Sequence, residues 1–319
     1  MSIQKSKAKK AYEVAVKETR AELVKQIVED IKKYDFDWVQ SWVNFLNPFN
    51  PVSGTLYRGG NRLHLAYKAR KNSWSDPRWM TFNQAKQHGW KVRKGEKSSL
   101  IEHWKIVGSV FAEDADTGET IVLKQGFPKL FGAFHVFNAE QIEGIKPFDP
   151  QDYLQHPFEE KHDIVTTVEE NWLCPIEEGG DEAYYIPSRD IIHLPDYIQF
   201  GNNDCFLRTM FHEMIHSTGH ESRLNRSIRH AFGTEAYAKE ELVAELGSMF
   251  CSASLELPVG NASEEHYQRH IAYLKSWQKK ITDDPDYLFT AASAAQKGCD
   301  LIIETCFKNE QKTPTLKSA

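Results

Sequence analysis

The chain has 319 residues, with 39 Lys/Arg against 45 Asp/Glu for a net charge of −6, a length that predicts two domains with adequate cores. Its five cysteines are odd in number and form no C-x-x-C pair, so they are expected as reduced thiols. The first ten residues are polar and lysine-rich, and no run of 18 apolar residues occurs; this excludes a signal peptide and a membrane span, and a cytoplasmic location is expected.

Charge and aromatic rings are unevenly distributed. Residues 1–110 carry 21 Lys/Arg against 10 Asp/Glu, and the remainder carries 18 against 35. Ala11 to Lys33 reads as an amphipathic helix with Val14, Leu23, Ile27 and Ile31 on one side. From Arg58 to Lys105 there are 12 basic and 3 acidic residues, interleaved with Tyr57, Tyr67, Trp74, Trp79, Phe82, Trp90 and Trp104. Basic side chains along a groove neutralise phosphates and exposed rings stack on unpaired bases. The combination points to single-stranded nucleic acid with low sequence specificity. Tyr57, Arg58, Arg62, Arg78, Trp79, Trp90, Arg93, Lys94 and Lys97 are the candidate contacts, although any single ring is more often core. Val92 to Lys97 reads as a basic turn leading into a strand from Ser99 to Val107.

Prolines between Lys146 and about Pro157 mark a linker, so the domains are expected at 1–145 and 159–319, with residues 146–158 between them. Tyr184 to Pro195 reads as a hairpin or edge strand, with His193 on its surface. Next comes His212-Glu213-Met214-Ile215-His216. Two histidines four apart share one helix face, so both imidazoles can converge on one metal ion. Glu213, beside the first of them, is placed to act as a base toward water at that ion. Asn203 or Asp204 caps the helix, Phe206, Leu207, Met210 and Phe211 form its buried face, and Gly219 follows its end. A further histidine, His220, lies past that glycine and off the shared face, where a rim or substrate contact fits it.

A second helix is expected from Ala236 to about Leu255. Its Glu241-Leu242-Val243-Ala244-Glu245 resembles the glutamate helix of gluzincin metallopeptidases. That resemblance implies Glu241 as third metal ligand and Glu245 behind a ligand histidine, with Glu240 as the other candidate ligand. Tyr237, one turn earlier, is a candidate for reaching an oxyanion or for core packing. Glu264–Ile281 and Asp286–Cys306 read as helices, and the last dozen residues as a frayed end. Zinc suits two histidines and a glutamate best, and manganese or cobalt fits the same set.

Ordered motifs carry a wider likeness. Asn47-Pro48, Tyr57-Arg58-Gly59-Gly60-Asn61, Asp76 to Ala85, Gly89 to Lys97 and Phe134 to Gln141 resemble the N-terminal domain of plasmid antirestriction proteins of the ArdC type. Phe211-His212-Glu213, Thr218 to Arg226, Tyr237 to Leu246, Trp277 and Asp283-Asp284-Pro285 resemble the zincin-like metallopeptidase domain of the same family. The likeness implies an α+β protein of two domains: a small mixed α/β domain binding single-stranded DNA, then a mainly helical zincin-like domain holding one divalent ion. It further implies protection of incoming plasmid DNA from host restriction, with a protein substrate or a restriction-system component as the other partner. In the alternative, the metal site is purely structural.

Overall fold

Hydrophobic spacing in the first segment generates a helix that reaches further than its pattern announces. In the computed structural model, which describes residues 2–34, 47–113, 120–149, 161–200, 203–228, 230, 234–255, 257 and 277–307, α1 spans Ser2–Tyr34. Its buried side is Val16, Leu23, Val24, Ile27 and Val28, while Val14 is exposed; the inward stripe passes through Val16 instead. Next come α2 (Gly59–Lys71), β1 (Trp79–Thr81) and α3 (Phe82–Gln87). A reciprocal cap starts α3, with the Thr81 hydroxyl accepting from the Gln84 amide and the Gln84 side chain accepting from the Thr81 amide.

β2 (Lys91–Val92), β3 (Ser99–Val107), β4 (Val110–Glu113), β5 (Thr120–Lys124), β6 (Phe127–Asn138) and β7 (Ile142–Glu143) complete the N-terminal half. The main sheet has the order β1-β6-β3, antiparallel throughout. β2 pairs with β7 and β4 with β5. A small core of Tyr57, Leu65, Ala69, Trp79, Ile101 and Val136 lies between this sheet and α2.

The C-terminal half is mainly helical, giving a two-domain α+β architecture. After α4 (Lys161–Asn171), strands β8 (Ile176–Glu178), β9 (Tyr184–Ile186) and β10 (Ile191–Leu194) form a sheet of order β8-β10-β9. β10 is the central strand and β9 lies at an edge. Then follow α5 (Asn203–Thr218), α6 (Glu235–Ser254) and α7 (Pro285–Cys306), with residues 277–283 helical before α7. Thr234 caps α6 and Asp284 caps α7. Residues 240–252 of α6 are buried without a break, as suits a helix enclosed on all sides.

The main core does not stop at the boundary between halves. Leu23, Val24, Ile27 and Val28 of α1 and Leu63 and Tyr67 of α2 join it alongside α4–α7. At that joint α2 approaches α7 closely: a Cβ on Gly60 would lie 2.4 Å from Phe289 Cδ1. Most of the expected linker, residues 264–276 and the last dozen residues fall outside the described residues. No helix among those described is long and apolar enough to cross a membrane.

Candidate functional site

Phe206, Leu207, Met210, Phe211, Met214 and Ile215 are all buried and anchor α5, which leaves His212 and His216 on the face toward α6. Their rings lie 4.9 Å apart and steeply inclined, with the Nε2 atoms 3.2 Å from each other. α6 comes close because Gly247 has no side chain; a Cβ there would stand 2.6 Å from Ile215 Cδ1. That contact sets three acids of α6 around the imidazoles. Glu241 Oε2 lies 3.5 Å from His212 Nε2, and its Oε1 lies 3.5 Å from His216 Nε2. Behind the rings, Glu245 Oε1 is 2.9 Å from His212 Nδ1 and Glu240 Oε1 is 3.4 Å from His216 Nδ1.

The structure thus brings His212, His216 and Glu241 together, one donor atom from each lying within 4.8 Å of the others. Each Nδ1 faces a carboxylate and both Nε2 atoms turn toward Glu241, the arrangement in which outer carboxylates orient metal-binding imidazoles. The donor set is that of a three-ligand metal site with a position left for another group. Burial works against the charge on Glu241, yet hydrogen bonding from His212 and the attraction of both imidazoles hold its pKa at about 2. Burial disfavours the charged form of His212, but Glu241 and Glu245 outweigh it and raise its pKa well above the usual value. Buried charges persist where they are paired or coordinate a metal.

Charged residues that the spacing did not single out complete the surroundings. The buried Arg208, one turn before His212 on the same helix, lies 3.3 Å from Glu245 Oε2; its i, i+4 relation to His212 was the available signal. Arg226 donates to Glu240, to the Thr218 hydroxyl and to the Ile215 carbonyl. Gly219 allows that loop to close: a Cβ would sit 2.4 Å from Ile228 Cγ2 and 3.2 Å from Arg226 Nη2. Its φ is not left-handed, so close approach, rather than the helix-ending conformation, requires glycine here. His220 leaves the metal-facing side, accepting from or donating to Ser222 Oγ at 2.8 Å and lying 3.8 Å from Asp190. Asp190 also binds Arg223 and Tyr185. Glu213 is buried next to His212, and Tyr237 hydrogen-bonds Glu241. His193 stacks on Tyr184 at 4.9 Å on the sheet beside α5.

Several candidate nucleic-acid contacts require correction. Tyr57 and Trp79 are core residues, and the Tyr57 hydroxyl donates to the Trp79 carbonyl. Arg62 is buried at the joint, donating to the Phe250 carbonyl at 2.9 Å and stacking over the Phe250 ring, because a buried charge persists only where it is hydrogen-bonded. Arg78 is half-buried, its guanidinium gripped by Asp76 and by the Lys146 carbonyl. Trp90 is half-buried and stacks on His88. Arg58, Arg93, Lys94 and Lys97 are exposed, although Arg58 pairs with Asp300 and Arg93 with Glu96.

Two family models match the chain: the N-terminal domain of anti-restriction factor ArdC over residues 17–137 and a zincin-like metallopeptidase over residues 165–294. Crystal structures of antirestriction ArdC protein from the R388 plasmid resemble the whole fold. The metal-free form is 31% identical with a TM-score of 0.67, covering 92% of this chain and 99% of that one. The Mn(II)-bound form is 29% identical with the same TM-score and coverage. A DNA primase TraC of Escherichia coli is 35% identical over 310 residues, covering 92% of this chain; the chain spans only 28% of that relative. The manganese in one relative, the zincin-like match and the donor set here together imply a divalent ion.

Proposed function

Since the chain belongs to the ArdC antirestriction family, we propose that it protects incoming plasmid DNA from host restriction by pairing single-strand binding with a metallopeptidase-type centre. The observation that carries the second element is the convergence of His212, His216 and Glu241 beside Glu213. In this reading those three residues hold one divalent ion, with zinc best suited to the donors and manganese or cobalt fitting too. Glu245 and Glu240 fix the two imidazoles. When bound, the ion supplies Lewis acidity toward a carbonyl and acidifies water. Glu213 is the group placed to take a proton from that water and hand it to the leaving amine. In this reading Tyr237, beside Glu241, donates to a developing oxyanion, while His220, turned toward Ser222 and Asp190, keeps a rim or substrate contact.

The N-terminal half contributes the nucleic-acid function. Exposed Arg58, Arg93, Lys94 and Lys97 neutralise phosphates with little regard to sequence, in keeping with a cytoplasmic role in plasmid transfer. The protein partner is a substrate of the centre or a component of the restriction system.

The depth of the donors favours a second reading. His212 and Glu241 are both buried, so the ion would then brace α5 against α6 and protection would come from covering DNA. Glu213→Gln separates the two, because it removes the base while sparing the donors. The expected outcome is ion content equal to wild type, peptide hydrolysis slowed at least ~100-fold and protection lost in a plasmid-transfer assay. Full protection by that variant would establish the bracing role instead.

A further inference from the structure

Beyond Glu102 the β3–β6 hairpin carries an unusual outer face. Sheet register places His103, Lys105 and Val107 of β3 on one side, opposite Gly132, Lys129 and Phe127 of β6. A bulge between His103 and Trp104 adds Phe131 to that side, where Lys105 Nζ lies 5.0 Å from its ring. Phe134 joins them, its ring 5.7 Å from that of His103. Nearer the start of β3 the same face is closed: Ile101 and Val136 lie in the core under α2. Phe134, opposite Ile101, is 49% exposed, and farther along the face Phe131 is 47% and Phe127 62% exposed. Apolar rings clustered in the open on a sheet mark a binding surface.

Charge identifies the occupant. Lys105 and Lys129 are directly opposite one another, and like charges in that position oppose strand pairing. Neither ammonium pairs with a carboxylate among the described residues. An anionic ligand offsets the repulsion, and alternating rings and cations fit a strand of bases and phosphates. Phe127 and Phe134 are seven residues apart along β6, about 23 Å of extended strand, which accommodates on the order of four nucleotides. Gly132 leaves room between the rings, as no atom lies within 4 Å of a Cβ built there.

We propose that this face of the β3–β6 hairpin, formed by His103, Lys105, Phe127, Lys129, Phe131 and Phe134, is the stacking platform for single-stranded DNA. The inference rests on the single-strand-binding reading above and moves the principal contacts away from the Arg93–Lys97 turn.

The test is fluorescence anisotropy of labelled oligo(dT), alongside an abasic strand of equal length, titrated with the full chain across a range of salt. Phe131→Ala with Phe134→Ala is expected to weaken oligo(dT) binding at least tenfold and to abolish its preference over the abasic strand. Lys105→Ala with Lys129→Ala is expected to reduce the slope of log affinity against log salt by about 1.4, from two phosphates at ~0.7 each. Gly132→Glu, which the fold has space for, is expected to weaken binding comparably with its thermal midpoint unchanged. Wild-type binding that survives all three changes would overturn the platform, assign the face to another partner and leave single-strand binding standing. A wild-type chain that binds neither strand would overturn the single-strand reading itself.

Discussion

At His212 two influences oppose one another, and their balance governs how the centre responds to pH. Burial favours the neutral ring, while Glu241 and Glu245 favour the cation and prevail, setting the pKa well above its ordinary 6.5. In metal-free protein the resulting stabilisation is complete below pH 6.5 and fades as pH climbs through the raised value. Glu241 behaves in the opposite sense: burial opposes its charge, His212 and His216 outweigh that, and its pKa falls from 4.5 to about 2. Its stabilisation is present above 4.5 and is lost as pH falls through about 2. The ordinary values of the two groups therefore bound a window, from 4.5 to 6.5, in which both contributions are fully present. With both His212 and His216 raised above the ordinary value, an arriving cation competes with protons for the imidazoles. Calorimetry of ion binding in buffers of different ionisation heat should show net proton release. Glu245→Gln should release less, and equal release by the two proteins would disprove the account.

At the level of elements, the closeness of α5 and α6 depends on Gly247 lying against Ile215. Gly247→Ala should cost about 1–3 kcal/mol through overpacking, read from denaturant titration, and should weaken ion retention against a chelator by shifting Glu241. Adding Ile215→Val, which removes the closest atom, should restore part of both. Undiminished ion retention by Gly247→Ala would show that the helix separation is not critical. The histidine pair of α5 was readable because its chemistry is written in local spacing, His212 to His216, whereas Glu241 and Glu245 of α6 were reached only through the resemblance of their motif to the gluzincin glutamate helix. The role of α2 was not readable. Its Arg62 looks like one more cation in a basic stretch, yet its acceptor on Phe250 lies 188 positions away, beyond any local pattern. Tyr57 and Trp79 were misjudged for the same reason, since a ring that stacks on a base and one that fills a core share a composition. Arg226 and Gly219 acquire their roles only once the loop after α5 folds back over Glu240.

Across the whole molecule, three arginines join the halves, Arg58 through its pairing with Asp300 on α7. Arg20 of α1 forms a double contact with Glu102 on β3, a 2.6 Å ion pair with Asp286 and a stack over Phe289. Arg62 bonds the Phe250 carbonyl and lies 3.4 Å from the Gln296 side chain. Scanning calorimetry should therefore show one transition rather than two. Arg62→Leu should lower stability by about 1–3 kcal/mol, because it removes the buried charge-assisted hydrogen bond to the Phe250 carbonyl and the stack over the Phe250 ring; a variant as stable as wild type would refute the role given to this contact. The shared core has an evolutionary corollary. If the chain were cut after residue 149, the first piece would bare Leu23, Ile27, Leu63 and Tyr67 and the second would lose the helices that cover it. Recombination that exchanges one half for a stranger's must therefore preserve this seam, so the two halves are expected to travel between genomes as a single inherited block.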